Sequence, residues 1–197
     1  IEAVSVINQS ELYELLGIDS HRISSIYHLT KMQRDMLLEE QASSTVVQNN
    51  IAYWFDIRHG IDIGIWKRSL QQLAHDIPVF RQTIKRTDHP FLDIGYQCLV
   101  EDYQVSFEYL EKTGQHYSSE ERTNIARSLV TEPMSIESDT LAKYWLIKYA
   151  EADYQAVSVC HHVLTDGISM ANHARKLCQL YDSLNEQGEL TVFDNKY

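Results

Sequence analysis

Glycine and proline are scarce in this 197-residue chain, 7 and 3 respectively, so no flexible or proline-rich tract marks a linker that would divide it. Internal repeats and low-complexity tracts are missing too. Cysteine is equally thin. Cys98, Cys160 and Cys178 are odd in number and scattered, with neither a disulfide framework nor zinc-ligand spacing. Free thiols in a reducing compartment are the simplest reading, and the expected location is the cytoplasm. No apolar run approaches the roughly 18 residues of a membrane-spanning helix, and no secretion signal opens the chain. It begins at Ile1 and not at Met, which fits an excised segment. Basic charge is also in deficit. With 17 Lys and Arg against 28 Asp and Glu, the formal net charge is −11, which argues against a general nucleic-acid binder and its basic face.

What is present is a foldable core. Hydrophobic residues make up 44% of the chain, and its length suits one sizeable domain or two small ones. The spacing predicts a short helix over 11–16, stopped by Gly17. Thr30 caps a second helix through about residue 41, with Met32, Met36 and Leu37 on one apolar face. A β-branched and aromatic strand follows over 51–57. Asp62 then caps an amphipathic helix that turns Ile65, Trp66, Ser69, Leu70 and Leu73 inward and ends at Pro78. Strands are expected over 79–85, 96–100 and 105–110. Ser118 with Glu121 forms a capping box for a helix that stops before Pro133. Segments 141–149 and 154–160 read as a hairpin. A last helix starts at Gly167 or Ile168, with Met170, Ala174, Leu177, Leu180 and Tyr181 inside. The fold class is α/β (α+β): a mixed, mainly antiparallel sheet with flanking helices. Helices do not separate the strands regularly enough for a doubly wound fold.

The chemistry concentrates in Cys160-His161-His162-Val163-Leu164-Thr165-Asp166-Gly167-Ile168-Ser169, where a buried strand runs into a loop. Histidine is the side chain whose ordinary pKa lies near neutrality, so it suits proton transfer in the cell. Side chains alternate along a strand, so His161 and His162 point to opposite faces and only one can face a given cavity. That divergence also argues against a shared metal ion, whose ligands must converge. Cys160 lies on the same face as His162. The i,i+2 separation of roughly 7 Å is too long for a Cys-His nucleophile, and a small apolar role is the better reading. Asp166 falls in the turn, where it can hold an imidazole, pair with a cation or fix the loop. Gly167 lets the backbone turn and approach a substrate closely.

His161, His162, Asp166 and Gly167 match every fixed position of His-His-x-x-x-Asp-Gly, and Ser169 fits the residue that trails it. With that signature the chain resembles the condensation domains of nonribosomal peptide synthetases, a family with the chloramphenicol-acetyltransferase-like fold. Two weaker motifs occur in the family's order. Residues 29–37, with Gln33 retained, resemble the opening Ser-x-Ala-Gln-x-Arg segment, and residues 78–84, with Arg81 retained, resemble Leu-Arg-Thr-x-Phe. Ile77-Pro78 replaces the usual His-Glu, and Glu132-Pro133-Met134-Ser135-Ile136 departs from Pro-Phe-Asp-Leu.

The resemblance implies an N-terminal lobe over residues 1–197, with the C-terminal lobe and its later motifs absent, and a lobe inactive by itself. It implies amide formation, in which the amine of an aminoacyl thioester on one carrier protein attacks an acyl thioester on another. His162 is then the catalytic residue, either as proton acceptor or as an orienting group. His161 becomes a buried support and Asp166 a structural charge partner, with Arg81 its candidate cation. Gly167 opens the last helix, whose N-terminus favours developing negative charge. The implied partners are donor and acceptor carrier proteins, the second lobe and neighbouring synthetase modules, without nucleic acid or membrane. No cofactor is expected in the domain, since substrates ride on the phosphopantetheine arms of the carriers. Other acyltransferases and epimerisation domains share the signature, and a non-catalytic carrier-docking lobe remains the reading from a different class.

Overall fold

Local caps decide where most of the elements begin and end. In the computed structural model, which describes residues 9–43, 49–90 and 92–185, α1 (Gln9–Leu15) stops at Gly17. The φ of +62° at Gly17 lies in the left-handed region that glycine adopts without strain. Ile1 and Tyr197, the bounds expected for the lobe, lie outside the described residues. β1 (Ile23–His28) precedes α2 (Lys31–Ala42). There Thr30 Oγ1 accepts from the N–H of Gln33 and the Gln33 side chain accepts from the N–H of Thr30. α2 buries Gln33 and Leu37 and leaves Met32 more than half exposed. The inward stripe is therefore i, i+4, i+7 (Gln33, Leu37, Glu40), and the expected Met32 face is corrected, since Met32 sits one step round the helix.

β2 (Asn50–Ile57) leads to α3 (Ile63–Asp76), where Asp62 Oδ1 accepts from the N–H of Ile65. Trp66, Ser69, Leu70, Leu73 and Ala74 turn inward from it. The strand expected over 79–85 is shorter than that. Pro78–Arg81 forms a 3-10 turn, because proline presets a helical φ at a first position that needs no N–H, and β3 (Gln82–Arg86) begins after it. β4 (Gly95–Val100) and β5 (Ser106–Glu111) follow, then α4 (Ser119–Val130) behind the Ser118–Glu121 box. The predicted hairpin is β6 (Ala142–Ala150) and β7 (Asp153–His161), and α5 (Gly167–Leu184) closes the described chain.

Among the described residues two sheets form where one was expected. β1, β4 and β3 make an antiparallel sheet in the order β1-β4-β3. The larger sheet has the order β2-β7-β6-β5, antiparallel except for the parallel β5–β6 pair. β7 is internal to it and buried along nearly its whole length.

Alternation on β7 serves two cores. Ala156 and Cys160 face α3 and α5, packing with Phe55, Trp66, Leu70, Met170, Leu177 and Tyr181. Val157 and Val159 face the other way, into a cluster with Ala126 of α4 and Trp145. The Tyr181 hydroxyl accepts from the N–H of Asp62 at 2.9 Å, and its ring lies 5.7 Å from that of Trp66. α5 is thus pinned to the start of α3, which fixes the helix that leaves the paired histidines. Among the described residues, no helix is long and apolar enough to cross a membrane.

Candidate active site

The paired histidines stand where a doubly paired central strand ends. Asn50 is paired with His161 from β2, and the His161 N–H donates to the Leu141 carbonyl at 2.8 Å from the β6 side. One residue on, the His162 N–H donates to Asn49 at 2.6 Å. The chain then turns and enters α5. This scaffold holds the backbone of both histidines before any side chain contributes.

The expected divergence of the two rings is what the structure has. His161 is fully buried, and its Nδ1 accepts from the N–H of Val163 at 3.0 Å. Its Nε2 lies 3.3 Å from Glu40 Oε1, so the network places the proton on Nε2. Both carboxylate oxygens of Glu40 also accept from the N–H of Ile136, at 3.2 and 3.0 Å. Burial holds the His161 pKa below its ordinary value, Glu40 opposes that shift, and His162 adds to it.

His162 is only half-buried. Its Nδ1 is nonetheless shut off from solvent and has no hydrogen-bond partner among the described residues. A buried polar atom without a partner costs about 1–3 kcal/mol, so its retention calls for an explanation.

Asp166 is exposed and caps α5, with Oδ1 accepting from the N–H of Ser169 at 2.7 Å. That backbone N–H, foremost, holds its carboxyl below the usual range, and His162 contributes in the same direction. Arg81 is not its cation, contrary to the expectation above. The guanidinium donates to the carbonyls of Ala74 and Val100 and stands 3.9 Å from Glu101, because the 3-10 turn aims it across the end of α3 toward β4. Arg81 ties α3 to the smaller sheet.

Gly167 has no left-handed φ, so the turn itself does not demand glycine there. A Cβ added at Gly167 would meet nothing within 4 Å, which leaves open room beside the start of α5. The first turn of α5 is already engaged by the Asp166 carboxylate, which offsets the pull of the helix end on a developing negative charge.

Cys160 is fully buried, and burial pushes its thiol up to about 12, against a hydrogen bond with Tyr144. It is a packing residue, as its spacing from His162 implied. Two further residues join the neighbourhood that sequence reasoning missed. Glu40 lies 121 positions from His161, and its only local sign is its place on the Gln33–Leu37 stripe. His173 lies one turn beyond Met170, and a histidine interrupting an apolar stripe is a readable anomaly. Its Nδ1 is buried without a partner among the described residues, and its ring meets Phe80 edge-on at 4.5 Å. Burial lowers its pKa while the Asp166 charge raises it. Among the described residues no three His, Cys, Asp or Glu side chains gather as a metal site would need.

Comparison with known proteins gives the family and the fold. A family model described as a condensation domain matches residues 23–197. Bacitracin synthase 3 of Bacillus licheniformis is 24% identical over 184 residues, covering 90% of this chain and 3% of its own length. Tyrocidine synthase 2 of Brevibacillus parabrevis is 24% identical over 177 residues, covering 87% of this chain and 5% of that protein. The crystal structure of the starter condensation domain of rhizomide synthetase RzmA superposes with a TM-score of 0.71 at 22% identity, covering 82% of this chain and 38% of that one. The chain thus spans a small part of the synthetases it matches and well under half of the solved domain. With its fold matched at that level and its family model running from Ile23 through the paired histidines to the final residue, the chain belongs to the condensation-domain family.

Proposed function

We propose that this chain is the N-terminal lobe of a condensation domain that joins a donor acyl or peptidyl thioester to an acceptor aminoacyl thioester, and that His162 is its catalytic residue. The observation that carries this reading is the asymmetry of the pair: His161 is locked by hydrogen bonds at both ring nitrogens, while His162 keeps a buried nitrogen uncommitted. In the reaction the neutral acceptor amine bonds through nitrogen to the thioester carbon, the carbon–sulfur bond breaks, and the one proton the amine gives up ends on the departing thiolate. An imidazole beside the amine either carries that proton or orients the nitrogen. Open space beside Gly167 supports access of the tethered chains.

The substrates arrive on phosphopantetheine arms of two carrier proteins, the domain itself holds no cofactor, and neighbouring synthetase modules supply the carriers. The second lobe completes the reaction crevice, so the lobe alone is inactive. The setting is cytoplasmic, in keeping with three buried, unbridged thiols.

The test is to mix the complete two-lobe domain with both loaded carrier proteins and follow the extended thioester by mass spectrometry. Wild type forms it, and His162→Ala loses it by about two to four orders of magnitude, the usual contribution of a positioned acid or base. Equal product from His162→Ala would remove His162 from the mechanism. Carrier binding without product from wild type would favour a docking lobe.

A further inference from the structure

Glu40 stands at the centre of a relay that reaches the backbone at Ile136 and, through the His161 ring, at Val163. On one side its oxygens hold the Ile136 N–H at 3.0 and 3.2 Å. On the other, Oε1 faces His161 Nε2 at 3.3 Å. The far nitrogen of the same ring accepts from Val163 N–H at 3.0 Å, and Leu164 N–H donates to the His161 carbonyl, also at 3.0 Å. The peptide that carries the His162 side chain is thus bracketed: its own N–H goes to Asn49, and the next two go to the ring and the carbonyl of His161.

This bracket exists for one tautomer only. A proton on Nδ1 would face the Val163 N–H donor to donor, and the turn would have to move. A carboxylate at Nε2 accepts but cannot donate, so it selects the tautomer with the proton on Nε2. Glu40 is itself held by α2, whose start is fixed by the Thr30–Gln33 box and whose buried Gln33 side chain donates to Gln97. We infer that Glu40 is a positioning residue of the reaction: through the tautomer of His161 it sets the direction of His162, and through Ile136 it ties the 133–140 segment to the same turn. The inference rests on the function proposed above for its kinetic part, and on geometry alone for its tautomer part.

The experiment compares wild type, Glu40→Leu and Glu40→Gln in the complete domain. Histidine 15N shifts are read by NMR, and kcat and KM by the loaded-carrier assay. In wild type, His161 carries its proton on Nε2. In Glu40→Leu only the Val163 N–H opposes a proton on Nδ1, so the turn moves in part of the population and the tautomers mix. There kcat falls on the order of tenfold to a hundredfold, the range for an outer partner that orients a histidine. KM for the carriers is unchanged. Glu40→Gln keeps an acceptor oxygen at the position of Oε1 and recovers most of that loss.

A wild-type His161 with its proton on Nδ1 overturns the proposal without any variant, so it stays testable even if Glu40→Leu fails to fold. An unchanged tautomer in Glu40→Leu overturns it as well, and so does a changed tautomer with kcat intact. Should wild type make no amide bond at all, the function fails while the NMR arm still judges the relay.

Discussion

Adjacent histidines in this turn should respond oppositely to truncation, and the structure gives the size of the difference. His161→Ala removes a fully buried ring. It leaves the Val163 N–H unpaired inside the protein, about 1–3 kcal/mol. The ring-sized void adds about 2–3 kcal/mol, by comparison with large-to-small core changes. Glu40 retains its Ile136 N–H partner, so its carboxylate is not left bare. The sum is about 3–6 kcal/mol, a large part of an ordinary domain's stability. His162→Ala loses about 1 kcal/mol of contact from a half-buried ring. It also releases a buried nitrogen with no described partner, which returns about 1–3 kcal/mol. The net change is within about 1 kcal/mol of zero, or stabilising. Urea unfolding of the two variants in the complete domain should therefore give midpoints about 1 M or more apart, with His161→Ala the lower. A His162→Ala variant as unstable as His161→Ala would refute the reasoning, since it would mean that His162 is a structural residue.

Acid should destabilise the fold above the range where carboxylates matter. Burial lowers the pKa of both His161, which faces Glu40 and His162, and His173, which faces Asp166. The unfolded chain takes up these protons first, so the stability present above 6.5 is lost as pH falls through that value toward the folded pKa values. The slope reaches about 1.4 kcal/mol per pH unit for each histidine. Asp153 and Asp166 are held below 3.8 and act only at lower pH, so a urea midpoint that stays flat from pH 7.5 to about 5 would sink the histidine argument. Cys160→Ser should leave amide formation within a few-fold of wild type, and the native thiol should resist alkylation at neutral pH, because burial holds it near 12. Loss of product in that variant would revive a Cys-His nucleophile. Tyr181→Phe should lower stability by about 1 kcal/mol by removing the acceptor for the exposed Asp62 N–H, which water can replace. A loss of several kcal/mol on urea unfolding would mean that this bond does more than pin α5.

Much of this was written locally. The Thr30, Asp62 and Ser118 caps, the 3.6-residue stripe of Trp66, Leu70 and Leu73, and the hairpin either side of Ala150 follow from short-range rules, and the structure bears each of them out. The divergence of His161 and His162 follows from the pleat of a strand. Other features escaped for identifiable reasons. β1, with Ser24 and Ser25 in place of apolar alternation, is an edge strand held by backbone pairing to β4, and its side chains carry little signal. Apolarity favours Met32 over Gln33 for the inner face of α2, and only the packing of the neighbouring elements reveals that the glutamine goes inside. The resemblance pairs Arg81 with Asp166, whereas the 3-10 turn that starts at Pro78 delivers it to two carbonyls instead.

Long-range contacts mark the limit most clearly. Within the seven residues from His161 to Gly167 the Val163 N–H holds Nδ1 of His161, but nothing there holds Nε2. The hold on Nε2 comes from Glu40 on α2, brought in by a topology that sets the end of β7 between the 49–50 and 141–142 segments. The signature names the residues, and the second helix determines what each can do. A chain with the same seven residues but a leucine at position 40 would keep the motif and the Val163 bond and lose the carboxylate that holds Nε2 of His161. For that reason the paired histidines are better regarded as one half of a unit whose other half lies in α2.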